Sequence, residues 1–460
     1  MSGAIEHSSN AANQEAIDRS CRLPVLMLVV SGLIWLAVSG VAGILASIQE
    51  HGAPLFANCP LMTYGHLVAL RDAGFGFGFA GNVGMGIGLW ILCRVRGAEL
   101  SGAVAAILGI VLWNVGIKFG LWRVLNGAGS GIEGLELPGQ VYPVLLIGFG
   151  LVLLASALTY FSRKQDELHP SLWCLLAAAL VFPWVMITNH QLLISDPVRG
   201  VAQSAINLWA LSTLQWGCMA MVGLAVVYYL VPEQVSRPLH SRQMVGLVFW
   251  GFLVLGGWTG LGASAPLPVW MLRMGNFASV LMVFPMLALW LNLRGTTLGT
   301  SACCSGKVET KYLLWGTFGL LVALLLTVLQ PVIGPSVQFS RYGDGQARLF
   351  LQGFFLLVAF GGIITVAPRL TGRNWCCEIW LKRGFWITSI GAAISSVSLL
   401  ISAKAPHAFH LAAIGELALV WGGLILLFQV LEMIVSGGIQ CSGISDVLKA
   451  LRAKVRGGAI

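Results

Sequence analysis

Long apolar runs separated by short polar breaks organise this chain. Twelve such runs stand at approximately 24–48, 67–93, 101–122, 140–162, 171–194, 204–231, 244–261, 271–293, 312–334, 347–367, 384–403 and 411–435. A helix needs about 20 mostly apolar residues to cross the hydrocarbon core of a bilayer. Two-residue alternation is weak, so the runs predict helices and not the strands of a barrel. The pattern predicts an all-α integral membrane protein: one twelve-helix transmembrane domain over 24–435, a polar N-terminal tail over 1–23 and a basic C-terminal tail over 436–460. The first apolar run is too long for the core of a cleavable signal peptide, so the first helix is expected to stay as an anchor.

Composition agrees. The chain is 57% hydrophobic and 10% charged, against roughly 25% charged in ordinary soluble domains. With the N-terminus read as cytoplasmic, 19 of the 27 Lys and Arg fall on that side, among them Arg19, Arg22, Arg94, Arg96, Arg163, Lys164, Arg237, Arg242, Lys382 and Arg383. The asymmetry predicts that both termini are cytoplasmic. It also accounts for the net charge of +9 through an anionic lipid surface, with no nucleic-acid partner. The tail from Lys449 to Arg456 is expected to lie on that surface.

Seven of the ten cysteines (Cys21, Cys93, Cys303, Cys304, Cys376, Cys377 and Cys441) fall at or beyond the cytoplasmic helix ends. A disulfide framework would place them on the oxidising side, so reduced thiols are expected. Glycines crowd the second helix, and Gly84 and Gly88 form a G-x-x-x-G pair that lets membrane helices approach closely. Trp90, Trp113, Trp184 and Trp258 lie within apolar runs and are expected to fill core volume. No heme-attachment C-x-x-C-H motif or nucleotide-binding loop occurs.

Several stretches resemble subunit I of the heme-copper oxidases, in its cbb3-type branch. They are Thr63-Tyr64-Gly65 with Gly78-Phe79-Ala80-Gly81-Asn82; Phe182-Pro183-Trp184; Tyr228-Tyr229-Leu230-Val231-Pro232; Trp258-Thr259-Gly260 with Pro266-Leu267-Pro268-Val269-Trp270; and Phe360-Gly361-Gly362-Ile363 leading to Pro368-Arg369-Leu370-Thr371-Gly372. Their order and spacing span most of the chain. The resemblance implies a twelve-helix bundle of the subunit I type in the inner membrane of a bacterium. It also implies oxygen-reductase activity, heme and copper cofactors, and partners among the other membrane subunits of a respiratory complex and a c-type cytochrome.

The same resemblance implies which positions should hold metal. The family clamps its low-spin heme with histidines of the second and tenth helices, binds the high-spin heme with another of the tenth, and holds copper with one of the sixth and two of the seventh. Carried onto this chain, the heme positions are Arg71, Gln346 and Arg348, and the copper positions are Ser212, Gly262 and Ala263. A guanidinium stays protonated and offers no lone pair, and Gly262 and Ala263 have no donor atom. No cofactor and no catalytic residue are therefore expected. His190, His407 and His410 are the candidate substitute heme ligands, should heme b be bound.

A charge within a membrane helix is costly and is usually paired or functional. Arg71, Asp72, Asp344, Gln346 and Arg348 are expected to form a polar plug or anion site in the low-spin heme position; the alternative is that both arginines snorkel to the surface. Glu416 is read as a hydrogen-bonded structural glutamate. Three functions follow. The first is a redox-inactive structural or regulatory component of a membrane respiratory complex. The second is an active oxygen or nitric oxide reductase with displaced heme ligands. The third is an anion or small-ligand binder or transporter using an emptied heme cavity.

Overall fold

A computed structural model describes residues 2–51, 58–162, 168–262, 267–299, 307–333, 341–402 and 409–435. Arg163, Lys164, Ala263, Cys303, Cys304, His407, Cys441 and the basic tail lie outside the described residues. The described chain is helical, and each of the twelve apolar runs forms one helix or one nearly continuous helical rod. These are α1 (Ser2–His51), α2 (Tyr64–Arg96), α3 (Ala103–Leu125), α4 (Val141–Phe161), α5 (Pro170–Ser195), α6 (Val201–Val235), α7 (Arg242–Thr259), α8 (Val269–Thr297), α9 (Val308–Ile333), α10 (Tyr342–Thr371), α11 (Glu378–Ile401) and α12 (Phe409–Val435). Eleven are long and apolar enough to cross a membrane, and α7 is an 18-residue helix between two of them.

Local chemistry sets the helix ends. Thr63 accepts a hydrogen bond from the His66 amide at the start of α2, and Ser241 accepts one from the Met244 amide at the start of α7. Pro170 opens α5, where its missing N–H costs nothing. Gly97 and Gly372 end α2 and α10 in the left-handed conformation that glycine adopts without strain. The helices overrun several predicted edges, since α10 begins at Tyr342 instead of 347. The polar residues there remain helical because every backbone donor and acceptor in a bilayer must be satisfied within the helix.

Three helices form the interior. Within their most apolar windows α2, α6 and α10 are 78%, 67% and 83% buried, against 33–50% for the other spans measured in the same way. The three pack on one another, and α1, α5, α9 and α12 are among those wrapped around them. Glycine allows this. A Cβ added at Gly78 would lie 2.7 Å from Trp35 of α1, one at Gly81 2.7 Å from Trp113 of α3, and one at Gly86 3.1 Å from Leu28 of α1. Gly84 and Gly88 likewise face Val222 of α6 and Leu175 of α5.

The largest side chains then fill the centre. Trp216 packs on Phe252 and Phe350 with ring centroids 5.2 and 5.3 Å apart. Phe79 packs edge-on against Phe355 and Phe360. Trp90 and Trp113 are buried as expected, but Trp184 and Trp258 are 56% and 39% exposed. Their helices turn those faces outward, where an amphipathic indole is stable beside lipid. Cys21 and Cys93 are buried, Cys376 is exposed, and no described cysteine forms a disulfide.

Candidate functional site

The positions singled out in the second, sixth and tenth helices fall on the three interior helices, and each precedes an unusual backbone feature. π-Helical stretches run over Gly74–Gly81 in α2, Leu214–Met219 in α6 and Leu349–Leu356 in α10. Arg71, Ser212 and Arg348 stand three, two and one residues before them. π-Turns are rare and concentrate at functional sites. No sequence pattern predicted them.

Arg71 makes a two-pronged ion pair with its neighbour Asp72, Nε to Oδ1 at 2.7 Å and Nη2 to Oδ2 at 2.9 Å. Ser39 of α1 donates to the Arg71 carbonyl at 2.7 Å. Arg348 donates from Nη1 to Glu416 Oε1 of α12 and lies 3.5 Å from Ser395 Oγ of α11. A Cβ placed on Gly43 of α1 would lie 2.7 Å from Glu416 Oε2 and 3.2 Å from Arg71 Cδ. Glu416 thus stands between the two arginines, and Gly43 leaves room for both. Two guanidinium and two carboxylate groups balance to zero.

The two pairs differ in burial. The Arg348 and Glu416 side chains are 18% and 6% exposed, whereas Arg71 and Asp72 are 25% and 40% exposed. Glu416 Oε2 is buried without a hydrogen-bond partner. Gln346 donates to Thr327 of α9 at 2.5 Å. Asp344 is exposed and makes no ion pair with either arginine. Glu416 is the residue that spacing alone did not attach to this group: it sits 68 positions from Arg348 and on another helix.

Around Ser212 and Gly262 the structure is closely packed. Ser212 Oγ donates to the Gly256 carbonyl at 2.5 Å and lies 2.8 Å from Thr259 Oγ1. A Cβ on Gly260 would fall 2.6 Å from Ser212 Cβ, and one on Gly275 2.6 Å from the Gly262 nitrogen. Gly223 of α6 has the Phe354 ring directly against it. A void of about 10 Å³, lined by apolar residues such as Val83, Val222 and Phe355, lies between the interior helices.

Of the candidate histidines, His190 sits in a π-helical turn ending α5. Its Nε2 lies 3.0 Å from the Gly139 carbonyl and its Nδ1 3.3 Å from Ser195 Oγ. His410 is exposed at the start of α12. No group of three or more His, Cys, Asp or Glu with metal-binding geometry occurs among the described residues. A polar cluster that the sequence reading did not single out joins Asn82, Asn114 and Trp35. Asn114 donates to Asn82 at 2.9 Å, and the Trp35 indole donates to Asn114 at 3.0 Å.

Comparison with known proteins agrees with this architecture. Residues 23–430 match the family model described as Cytochrome C and Quinol oxidase polypeptide I. The chain is 24% identical over 372 residues to cytochrome c oxidase subunit 1 of Rhodobacter capsulatus, covering 74% of this chain and 67% of that one. It is 22% identical over 405 residues to the cbb3-type cytochrome c oxidase subunit CcoN1 of Stutzerimonas stutzeri, covering 82% and 81%. A solved heme-copper terminal oxidase dimer superposes with a TM-score of 0.73 at 12% identity, over 90% of this chain and 84% of that one. The chain belongs to the cytochrome c and quinol oxidase polypeptide I family of membrane proteins.

Proposed function

We propose that this chain is a redox-inactive member of its family, a structural or regulatory component of a membrane respiratory complex in a bacterial inner membrane, with both termini cytoplasmic. One observation carries the reading. The arginines at the heme positions are held in ion pairs, Arg71 with Asp72 and Arg348 with Glu416. A heme iron needs a neutral imidazole or another lone-pair donor. A guanidinium engaged with a carboxylate supplies none.

The remaining positions support the same conclusion. The Ser212 hydroxyl is engaged by Gly256 and Thr259, and Gly262 lacks a side chain. These residues do not fit heme or copper, so no redox step is assigned to them. His190 is a poor substitute ligand, since both ring nitrogens face protein oxygens. An anion in the former heme position finds its charge already balanced by Asp72 and Glu416. The role left to the scaffold is to present its lipid-facing helices to other membrane subunits and to a c-type cytochrome.

The test is an absorption spectrum of the detergent-purified protein, oxidised and dithionite-reduced, with heme and copper quantified and copurifying subunits identified. The expected result is no Soret band, no copper and stoichiometric membrane partners. Heme at one equivalent with reducible α-bands would overturn the proposal and restore the oxidase reading.

A further inference from the structure

A basin of about 760 Å³ opens at the end of the bundle away from the N-terminal tail, between the segments 123–143 and 190–203. Its volume falls within the roughly 300–1,000 Å³ range of small-molecule sites. The walls carry Arg123 from the last turn of α3, Arg199 from the loop before α6, and Gln203 from the first turn of α6. No Asp or Glu lines it. Of the neighbouring carboxylates, Glu136 accepts from the Gly134 amide at 2.7 Å and Asp196 accepts from Gln191 at 2.6 Å, while Glu133, next to Ile132 in sequence, does not line the basin. Neither Arg123 nor Arg199 has an ion-pair partner among the described residues, in contrast to Arg71 and Arg348. His190 sits in the wall, fixed by Gly139 and Ser195.

We infer that this basin binds a phosphate-bearing anion, either an anionic phospholipid headgroup or free phosphate. Two guanidinium forks from separate segments suit an anion with several oxygens, because each fork can take a different pair. The surrounding helices end here, so the basin lies at the level of lipid headgroups. Exposed Trp122 beside Arg123 marks the same interface.

The experiment compares unfolding of the full chain in zwitterionic detergent with added phosphatidylglycerol, phosphatidylcholine or inorganic phosphate. It uses the parent and the Arg123→Gln/Arg199→Gln variant. Native mass spectrometry counts retained phospholipid in both. Expected is a concentration-dependent rise of the unfolding midpoint by several degrees with phosphatidylglycerol and none with phosphatidylcholine. The double variant should keep the parent's unliganded midpoint and lose the rise. A rise with inorganic phosphate as well assigns the site to the phosphate group itself; a rise with phosphatidylglycerol alone assigns it to the headgroup. The inference fails if neither anion shifts the midpoint, or if the variant responds as the parent does. If the double variant does not fold, Arg199→Gln alone must reduce the retained anionic lipid or the rise with inorganic phosphate, and a response equal to the parent's in both overturns the site.

Discussion

Arg348 of α10 and Glu416 of α12 form an ion pair inside the bundle, with Glu416 the more deeply buried of the two. Removing one partner of a buried pair leaves an uncompensated charge, which costs about 3–5 kcal/mol, while replacing both with apolar residues of similar size is often neutral. Glu416→Leu is expected to lower stability strongly. Arg348→Met combined with Glu416→Leu should recover most of the loss. Denaturant or thermal unfolding in detergent measures both; equal losses in the single and double variants would mean that the pair does not act as a unit.

Arg71 offers a weaker version of the same test. Asp72 is the most exposed of the four charged side chains and can be solvated when its partner is gone. Arg71→Leu should therefore destabilise by about 1–3 kcal/mol, less than Glu416→Leu. A variant that folds and assembles with unchanged thermal stability would remove Arg71 from any structural role.

Introducing a histidine at Ser212 should fail to create a metal site, for steric reasons. Ser212 is hydrogen-bonded to Gly256 and approached closely by Gly260. Ser212→His must push α6 from α7, at a cost of about 1–3 kcal/mol for overpacking. The expected outcome is a less stable protein that takes up no copper when metal is titrated and then removed by gel filtration. Copper retained at one equivalent would show that the region opens more easily than its packing implies.

The loop before α4 should give the protein a pH response. Burial raises the Glu136 carboxyl from its ordinary range to about 7, with the Asp72 charge adding to the shift. A carboxyl with a raised folded value binds its proton more tightly in the native state. Its contribution is present in full below the unfolded value near 4.5 and is lost as pH rises toward 7. Stability should fall between about pH 4.5 and 7, and Glu136→Gln should flatten that slope. Unfolding midpoints measured across this range decide it.

Much of this was legible in the sequence, for identifiable reasons. The twelve apolar runs gave the helices because hydrocarbon thickness fixes their length, and the Gly84–Gly88 spacing marked a packing face. Pairings between helices were not legible. Glu416 meets Arg348 only after α10, α11 and α12 have packed, and no spacing rule links residues 68 apart. Trp184 and Trp258 lie in runs that are apolar all round, so the pattern carries no mark of which face meets lipid. The Asn82–Asn114–Trp35 cluster is hidden in the same way, because single polar residues in three separate runs join only in the folded bundle.

The π-helical stretches have a further consequence. Each holds more residues per turn than the α-helix around it, so the two ends of the rod are clocked independently. Deleting one residue from Leu349–Leu356 would let that wide turn close into ordinary α-helix while the segments on either side keep their facing. A protein built this way can exchange side chains at one end of α2, α6 and α10 while the other end keeps its angular register. The charged pairs and the ordinary apolar interface can thus share the same three rods, each aligned to its own neighbours.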